Sequence, residues 1–544
     1  MIILENKKDY VVKFVGNINN IEDIKEKYKI RLENIEDILL NLFLEYGDDF
    51  LKDINGEFTL CIKNLVTKDT FLIRDKLGIK PLYYTILDNG EIYVENRIDR
   101  LIKNTDITPI IDKEGVKMLA LLGPAKEEGK TLFKNIYEVK PGCYNVYTCG
   151  KLIEVKYFDY INKINLDTKD EVKEKIKKIL EDSILKRCDE ENVNVMLSGG
   201  LDSSIVTTVL YKENKKINSY SVDYEKNNIN FSPNKFQKTQ DKDFISKVSD
   251  KTNSKHTNII INEKQLIDNL REAVIARERP AMGDIDSSLL VFLKEMKKLN
   301  VTTCFTGECS DEIFLGYPWL YTECSKEKIP FINNIELRKK FIKKNILAEN
   351  ELDEYINNIY YKYINDLKLS DVIDDKSKKF IKNNYLTIKL FMPVLIERAE
   401  KISDYLNMNL KIPFADYRIF EYLFNVPFYY KINNYYNEKS LLKEIYLDDL
   451  PIEIIKRKKS PYPKTYDPNY LESVQKILNE MLENENCKLK EIFDIEFIKE
   501  YIKKDGDIYE GPFFGQLMTY PQVLAYLIQI EMWMQIYNVH FENN

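Results

Sequence analysis

The clearest chemical pattern is a serine- and glycine-rich segment that follows a predicted apolar strand, Val193–Leu197. Its sequence is Ser198-Gly199-Gly200-Leu201-Asp202-Ser203-Ser204, and a helix is predicted to begin near Asp202. Glycines let the backbone come close to an anion, and the first amides and the dipole of the helix attract it. The pattern therefore predicts a phosphate-binding loop, with an ordinary strand–turn–helix and a Ser or Asp cap as the alternative.

A second polar segment also follows a predicted strand, Val301–Thr306, and it contains three acidic residues. Its sequence is Thr306-Gly307-Glu308-Cys309-Ser310-Asp311-Glu312. Because the carboxyl ends of parallel strands meet at one edge of a sheet, the two loops are expected to lie together. Asp202 beside a phosphate indicates a cation, and Asp311 is predicted to be the second carboxylate for Mg²⁺.

The predicted secondary structure divides the chain into two domains, with the boundary between Tyr160 and Asp167. Residues 1–160 are predicted to be β-rich, with short apolar strands, turns rich in Gly, Asn and Asp, and one amphipathic helix. Residues 165–544 are predicted to begin with a capping box, Thr168 and Glu171, and to alternate helices with strands. That alternation predicts a parallel α/β sheet covered on both faces. The strands expected there are Val193–Leu197, Ile217–Val222, Thr257–Ile261 and Val301–Thr306.

Composition excludes several classes of function. The 544 residues include 81 Lys and Arg against 88 Asp and Glu, a net charge of −7, which argues against a nucleic-acid partner. Two histidines exclude a His-based metal cluster, and eight cysteines without a CxxC pair favour free thiols. The apolar runs are too short to span a membrane, and no signal peptide is apparent, so a cytoplasmic protein is expected.

Together the two loops resemble the synthetase domain of the asparagine synthetases, which belong to the ATP pyrophosphatases. Further stretches resemble that family in the same order. The resemblance implies an α/β protein, in which a degenerate Ntn-type glutaminase sandwich precedes a parallel-sheet, adenine-nucleotide α-hydrolase-like synthetase domain. The further stretches that resemble the family are Arg74–Tyr84, Ser221–Tyr224, Asp284–Ser288, Lys459–Thr465 and Phe514–Met518.

In this family ATP adenylates a carboxylate, and an amine then displaces AMP, so the resemblance implies a role for each matching residue. ATP and Mg²⁺ are the implied cofactors. Adenine and ribose would contact Leu197, Val222, Thr306 and Gly307. Pyrophosphate would contact the loop, that is Ser198, Gly199, Gly200, Leu201, Asp202, Ser203 and Ser204. Mg²⁺ would bind Asp202 and Asp311. Glu308 matches the glutamate of the acyl-adenylate step, which also handles the amine proton. Lys459 matches the lysine that neutralises the phosphates and the tetrahedral intermediate.

The chain departs from the family at the glutaminase positions. Ile2 follows Met1 where the family has its nucleophilic cysteine, and Val15, Asn17 and Asn34 replace residues that bind glutamine. We therefore expect an amidotransferase-like domain without a catalytic Cys, and ammonia or an amine as the nitrogen donor.

A second departure leaves the acceptor open, because Asn409 and Lys411 replace a Glu and an Arg of the family. Aspartate, giving asparagine, is the default; a lactam synthetase or a lasso-peptide macrocyclase acting on a small-molecule or peptide carboxylate is the alternative. A tRNA-modifying enzyme would be expected to have cysteine pairs and a basic surface. A non-catalytic regulatory homologue would have no reason to keep Glu308 and Lys459. A homodimer is compatible with the sequence.

Overall fold

A computed structural model describes residues 9–160, 165–231, 239–322, 327–369, 373–433, 437–504 and 512–542. Through residue 160 the elements are β1 (Tyr10–Ile18), α1 (Ile21–Tyr28), α2 (Ile35–Tyr46), β2 (Gly56–Asn64), β3 (Thr70–Arg74), β4 (Tyr83–Ile86), β5 (Ile92–Glu95), α3 (Ile98–Thr105), β6 (Ile110–Ile111), α4 (Lys113–Lys117), β7 (Tyr137–Glu138), β8 (Cys143–Thr148) and β9 (Lys151–Lys156).

The N-terminal part consists of a central antiparallel sheet that is covered on its two faces by different elements. Its strands lie in the order β1-β2-β3-β8-β9, and a smaller antiparallel sheet has the order β5-β4-β7. The apolar stripe of α2, including Leu39 and Leu42, packs with Phe58 of β2. Leu72 of β3 packs instead with Leu82 and the smaller sheet. The period-2 alternation of the strands thus separates two apolar layers.

The C-terminal part begins with a long helix and continues with alternating strands and helices. Its elements are α5 (Lys169–Leu185), β10 (Asn192–Met196), α6 (Leu201–Lys212), β11 (Lys216–Tyr224), α7 (Asn227–Asn230), α8 (Lys242–Thr252), β12 (Lys255–Ile261), α9 (Glu263–Asp268), α10 (Leu270–Arg277), α11 (Asp284–Lys298), β13 (Thr303–Phe305), α12 (Ser310–Ile313), α13 (Ile335–Lys340), α14 (Glu349–Asp366), α15 (Asp375–Leu386), α16 (Met392–Tyr405), β14 (Asn409–Lys411), α17 (Tyr417–Asn425), α18 (Phe428–Lys431), α19 (Ser440–Ile445), α20 (Ile452–Lys456), α21 (Pro468–Glu483), α22 (Leu489–Ile492), α23 (Ile495–Lys503), α24 (Tyr520–Ile536) and β15 (His540–Phe541).

The second sheet is parallel throughout, with the strand order β12-β11-β10-β13-β14. The chain proceeds outward from β10 to β12 on one side and from β13 to β14 on the other. The switch point therefore lies between β10 and β13, where a parallel α/β sheet places its ligand site. Val193 and Val195 of β10 are buried, as the apolar run predicted.

The predicted architecture is confirmed: an antiparallel, β-rich N-terminal part precedes a parallel-sheet α/β part. The capping box is also present, because Thr168 Oγ1 accepts from the Glu171 amide at 3.3 Å and Glu171 Oε2 accepts from the Thr168 amide at 2.8 Å. Residues 161–164 of the predicted boundary lie outside the described residues, so the division into 1–160 and 165–544 stays a prediction. Among the described helices, none is long and apolar enough to cross a membrane.

Helix α5 offers a direct test of this core. Leu180 is fully buried, whereas Lys178 two residues earlier is exposed. We expect Leu180→Ala to lower the free energy of unfolding by about 2–5 kcal/mol, because it leaves a cavity. Lys178→Ala should change it by less than about 0.5 kcal/mol. Urea denaturation followed by circular dichroism measures both, and equal shifts would contradict the buried position of Leu180.

Candidate active site

The loop after β10 is held close to the neighbouring elements. The Leu197 amide donates to the Tyr220 carbonyl at 2.8 Å, which extends the pairing with β11 by one residue. Gly199 has a φ of +65°, and a Cβ there would lie 2.7 Å from the Ile245 amide nitrogen of α8. Glycine is therefore required for both its conformation and its space. The Ser198 amide donates to Ser203 Oγ at 3.3 Å, which closes the loop over the start of α6.

The loop after β13 is in direct contact with the first loop. A Cβ on Gly307 would lie 2.8 Å from Asp202 Cβ and 2.8 Å from the Ser203 amide nitrogen. Ser310 Oγ donates a hydrogen bond of 2.7 Å to Asp202 Oδ1. The two predicted motifs thus meet at the switch point of the parallel sheet.

Two lysines and two aspartates form the charged centre of the site. Lys439 Nζ lies 2.6 Å from Asp202 Oδ2 and 2.6 Å from Asp311 Oδ1. Lys459 Nζ donates to Asp311 Oδ2 at 2.7 Å. Burial of Asp311 opposes its ionisation, but Lys439 and Lys459 outweigh burial and lower its pKa to about 2. Asp311 is consequently ionised at neutral pH.

An arginine holds the predicted catalytic glutamate. Arg398 Nη2 of α16 donates to Glu308 Oε1 at 2.7 Å, and the guanidinium carbon lies 4.8 Å from the centre of the Tyr462 ring. Within the described residues, Glu308 Oε2 and Arg398 Nε and Nη1 are buried without a hydrogen-bond partner. Buried polar atoms are normally satisfied, so both side chains have hydrogen-bonding capacity for a bound molecule.

Glu312, the third acid of the second motif, is buried beneath this group. Its Oε1 accepts from the Tyr317 hydroxyl at 2.7 Å. Burial and the neighbouring charge of Asp311 raise the pKa of Glu312 to about 7. Adjacent carboxyl groups thus have opposite pKa shifts, because Lys439 and Lys459 contact Asp311 directly, whereas the neighbouring charge of Asp311 acts on Glu312.

Both loops line one cavity of about 220 Å³. Most of the predicted site residues contribute to its wall: Leu197, Ser198, Gly200, Asp202, Ser203, Val222, Thr306, Gly307, Glu308, Asp311 and Lys459. Gly199, Leu201 and Ser204 do not. Gly199 packs against α8, Leu201 belongs to the apolar core, and Ser204 Oγ donates to the Gly200 carbonyl at 2.6 Å.

The donor set fits a Mg²⁺ ion that binds together with phosphates. Asp202 and Asp311 converge on one point, since both contact the same ammonium group of Lys439. No group of three His, Cys, Asp or Glu residues that could hold a metal occurs in the described ranges. Mg²⁺ commonly takes one or two protein carboxylates and completes its octahedron with phosphate oxygens and water. Two convergent aspartates meet that requirement only when a nucleotide supplies the other oxygens.

Comparison with known proteins agrees with this geometry. A model of the asparagine synthase family matches residues 175–535, and a glutamine amidotransferase domain model matches residues 2–158. Asparagine synthetase [glutamine-hydrolyzing] 3 of Bacillus subtilis is 30% identical, over 98% of this chain and 88% of its own length. The chain belongs to the asparagine synthetase family. Asparagine synthetase [glutamine-hydrolyzing] 1 of the same organism is 23% identical, over 84% of this chain and 76% of its own length. Asparagine synthetase [glutamine-hydrolyzing] of Gallus gallus is also 23% identical, over 82% of this chain and 70% of its own length.

Sequence reasoning missed Lys439, although it is the residue that joins the two motifs. It precedes α19 with a φ of +52°, an uncommon conformation for lysine. Nothing local distinguishes it among 81 basic residues, because its partners are distant in sequence. Sequence reasoning also missed Arg457. Its Nη1 donates to the Ser198 carbonyl at 3.1 Å, and its Nη2 pairs with Asp241.

The two residues that depart from the asparagine synthetase family in the substrate half lie away from the cavity around Glu308. Asn409 and Lys411 belong to β14 and line a separate cavity between the two parts of the chain, together with Glu57 and Lys80. Lys411 Nζ contacts the Arg187 carbonyl. Their replacement therefore gives no structural reason to exclude the acceptor used by other family members.

Removal of Lys439 should destabilise the protein strongly. Lys439→Met leaves Asp202 and Asp311 as neighbouring, mostly buried anions, and loss of one partner from a buried ion pair costs about 3–5 kcal/mol. Lys212→Met removes a half-exposed lysine that pairs with Asp449, for which less than about 1 kcal/mol is expected. Urea denaturation of both variants and the wild type measures these losses in the free energy of unfolding. Equal losses would show that Lys439 does not balance the two aspartates.

Proposed function

We propose that this chain is an ATP-dependent amide-forming ligase that adenylates a carboxylate and lets ammonia or an amine displace AMP. The observation that carries the proposal is the meeting of the Ser198–Ser204 loop with Asp311, Glu308 and Lys459 around one cavity. Phosphate-binding amides, two carboxylates and a fixed cation are the groups that transfer of an adenylyl group requires.

The nucleotide would lie along the carboxyl ends of β10, β11 and β13. Leu197, Val222, Thr306 and Gly307 would contact adenine and ribose, and the loop of Ser198–Ser204 would bind pyrophosphate. Asp202 and Asp311 would hold Mg²⁺ against the phosphates, where the ion neutralises charge on the leaving pyrophosphate. The ammonium group of Lys439 lies between these two aspartates, so it would have to move when the ion binds. The phosphate oxygens would then be its new partners.

Lys459 and Glu308 would act on the acceptor. When the acceptor carboxylate attacks the α-phosphorus, an acyl-adenylate forms and pyrophosphate leaves. Lys459 stabilises the negative charge that develops there and on the tetrahedral intermediate formed by the amine. Glu308, held by Arg398, accepts the proton that the attacking nitrogen loses. Collapse of the intermediate forms the amide and releases AMP.

The nitrogen donor would be free ammonia or an amine rather than glutamine hydrolysed by this chain. Asn34, at a position that binds glutamine elsewhere in the family, accepts from the Asp37 amide at 3.0 Å and caps α2 instead. Cys61 lies within β2, where burial raises the pKa of its thiol to about 11, unsuited to a nucleophile. Both observations support a degenerate amidotransferase-like domain.

Aspartate is the acceptor that we propose by default, with asparagine as the product. Purified protein with Mg·ATP, aspartate and ammonium should release AMP and pyrophosphate and form asparagine, whereas glutamine in place of ammonium should not. Product analysis by chromatography and mass spectrometry measures this. Glutamate formed from glutamine would contradict the loss of glutaminase activity. Absence of AMP with aspartate would contradict aspartate as acceptor and direct the same assay to other amino-acid and peptide acids.

Two neighbouring lysines provide a matched test of the catalytic assignment. Lys459 contacts Asp311 in the cavity wall, whereas Lys458 is exposed. Lys459→Met should lower the turnover of AMP formation about 10²-fold or more, because a fixed cation at developing charge is lost. Lys458→Met should leave turnover within about twofold, as expected for a surface residue. A similar turnover for both variants would refute the role of Lys459.

A further inference from the structure

Helix α16 (Met392–Tyr405) has buried charged residues on more than one side. Arg398 reaches Glu308 in the active site, and its side chain is 4% exposed. Glu397 and Lys401, one helical turn apart, are 11% and 3% exposed, and both contact residues of the N-terminal part of the chain. The same helix therefore touches the proposed catalytic glutamate and the amidotransferase-like part.

The first of these contacts is a chain of four buried charges. Lys126 Nζ lies 3.1 Å from Glu397 Oε2 and 3.0 Å from Glu138 Oε2 of β7. Glu138 Oε1 in turn lies 3.2 Å from Arg74 Nη1 of β3. The exposed fractions of Lys126, Glu138 and Arg74 are 11%, 3% and 7%. This chain connects both N-terminal sheets to α16.

A second contact supports the same face of the helix. Lys401 Nζ donates to Glu278 Oε2 at 2.8 Å and lies 4.9 Å from the centre of the Tyr83 ring. Glu278 Oε1 lies 3.5 Å from Arg97 Nη2, which also belongs to the N-terminal part. Burial opposes ionisation of Glu397, yet Lys126 and Lys401 hold its pKa well below the usual range.

These contacts restrict how α16 can rotate or slide. A buried charge that loses its partner is strongly unfavourable, so Glu397 and Lys401 keep the helix in the register that satisfies both. Arg398 is the residue next to Glu397 on a rigid backbone. Without Lys126, Glu397 keeps only Lys401, and any shift of α16 that compensated for the lost partner would move the guanidinium that orients Glu308.

We propose that Lys126 is a positioning residue for the active site. By joining Glu138 to Glu397, it sets α16 so that Arg398 meets Glu308. The inference rests on the proposed function, and it gives the N-terminal part a role in amide formation that needs no hydrolysis of glutamine.

The test uses Lys126→Met in the full-length chain, assayed with Mg·ATP, aspartate and varied ammonium. The substitution leaves Glu138 beside Arg74 and Glu397 beside Lys401, so the fold retains its other ion pairs. We expect kcat/KM for ammonium to fall about tenfold, because a small misplacement of a reacting group is costly. The KM for ATP should change less than about twofold, since the proposed phosphate-binding residues belong to α6 and the loop before it, and not to α16. Lys126→Arg, which keeps the charge, should recover most of the loss.

Glu57→Gln is the matched control. Glu57 of β2 pairs with Arg187 just beyond α5 at 2.5 Å, so this pair also joins the two parts of the chain but includes no residue of α16. Glu57→Gln should leave kcat/KM for ammonium and the KM for ATP within about twofold of the wild-type values. The proposal would be overturned if Glu57→Gln lowered kcat/KM for ammonium as much as Lys126→Met does. It would also be overturned if Lys126→Met impaired the use of ATP as much as the use of ammonium.

Hydrogen exchange separates this proposal from the proposed function. The amides of Met392–Tyr405 should exchange faster in Lys126→Met than in the wild type or in Glu57→Gln. Unchanged exchange there would overturn the role of Lys126 whether or not the protein is active. A wild type that forms no AMP with any acceptor would contradict the proposed function instead, and the exchange measurement would still decide about Lys126.

Discussion

The arrangement of the site depends on one buried ammonium group placed between two partly buried carboxylates. Asp202 and Asp311 lie in the first turns of α6 and α12, and each would repel the other without Lys439 between them. At contact distance and reduced dielectric, such repulsion amounts to several kcal/mol. Lys439, the residue before α19, thus joins the starts of α6 and α12, and Lys459 balances the remaining oxygen of Asp311. The result is a centre of nearly balanced charge.

Balanced buried charge continues from the site into the boundary with the N-terminal part. Glu308 is paired with Arg398, and the neighbouring residues of α16 are paired with Lys126 and Glu278. Buried ion pairs often add little net stability compared with apolar packing, but they specify one geometry because each misalignment leaves a charge unpaired. In this chain that specificity lies at the position where two parts of different architecture meet.

Much of the fold could be predicted from local sequence. The apolar run before Ser198, the glycines after it and the capping box at Thr168 are short-range signals, and each element was found where the pattern indicated. Most of the phosphate loop and the acidic motif also line the cavity. Gly199, Leu201 and Ser204 belong to the same motif but do not line the cavity. Gly199 packs against α8, Leu201 lies in the apolar core, and Ser204 donates to the Gly200 carbonyl.

The sequence by itself determined the two kinds of sheet, the two loops and the family, since hydrophobic periodicity and motif spacing are properties of contiguous residues. Only the tertiary structure decided that Lys439 joins those loops, that Arg398 holds Glu308, and that Asn409 and Lys411 lie in another cavity. Asp202 is 237 residues from Lys439 in the sequence, and Glu308 is 90 residues from Arg398. One lysine among many has no local signature, and its partner is set by how the strands and helices pack.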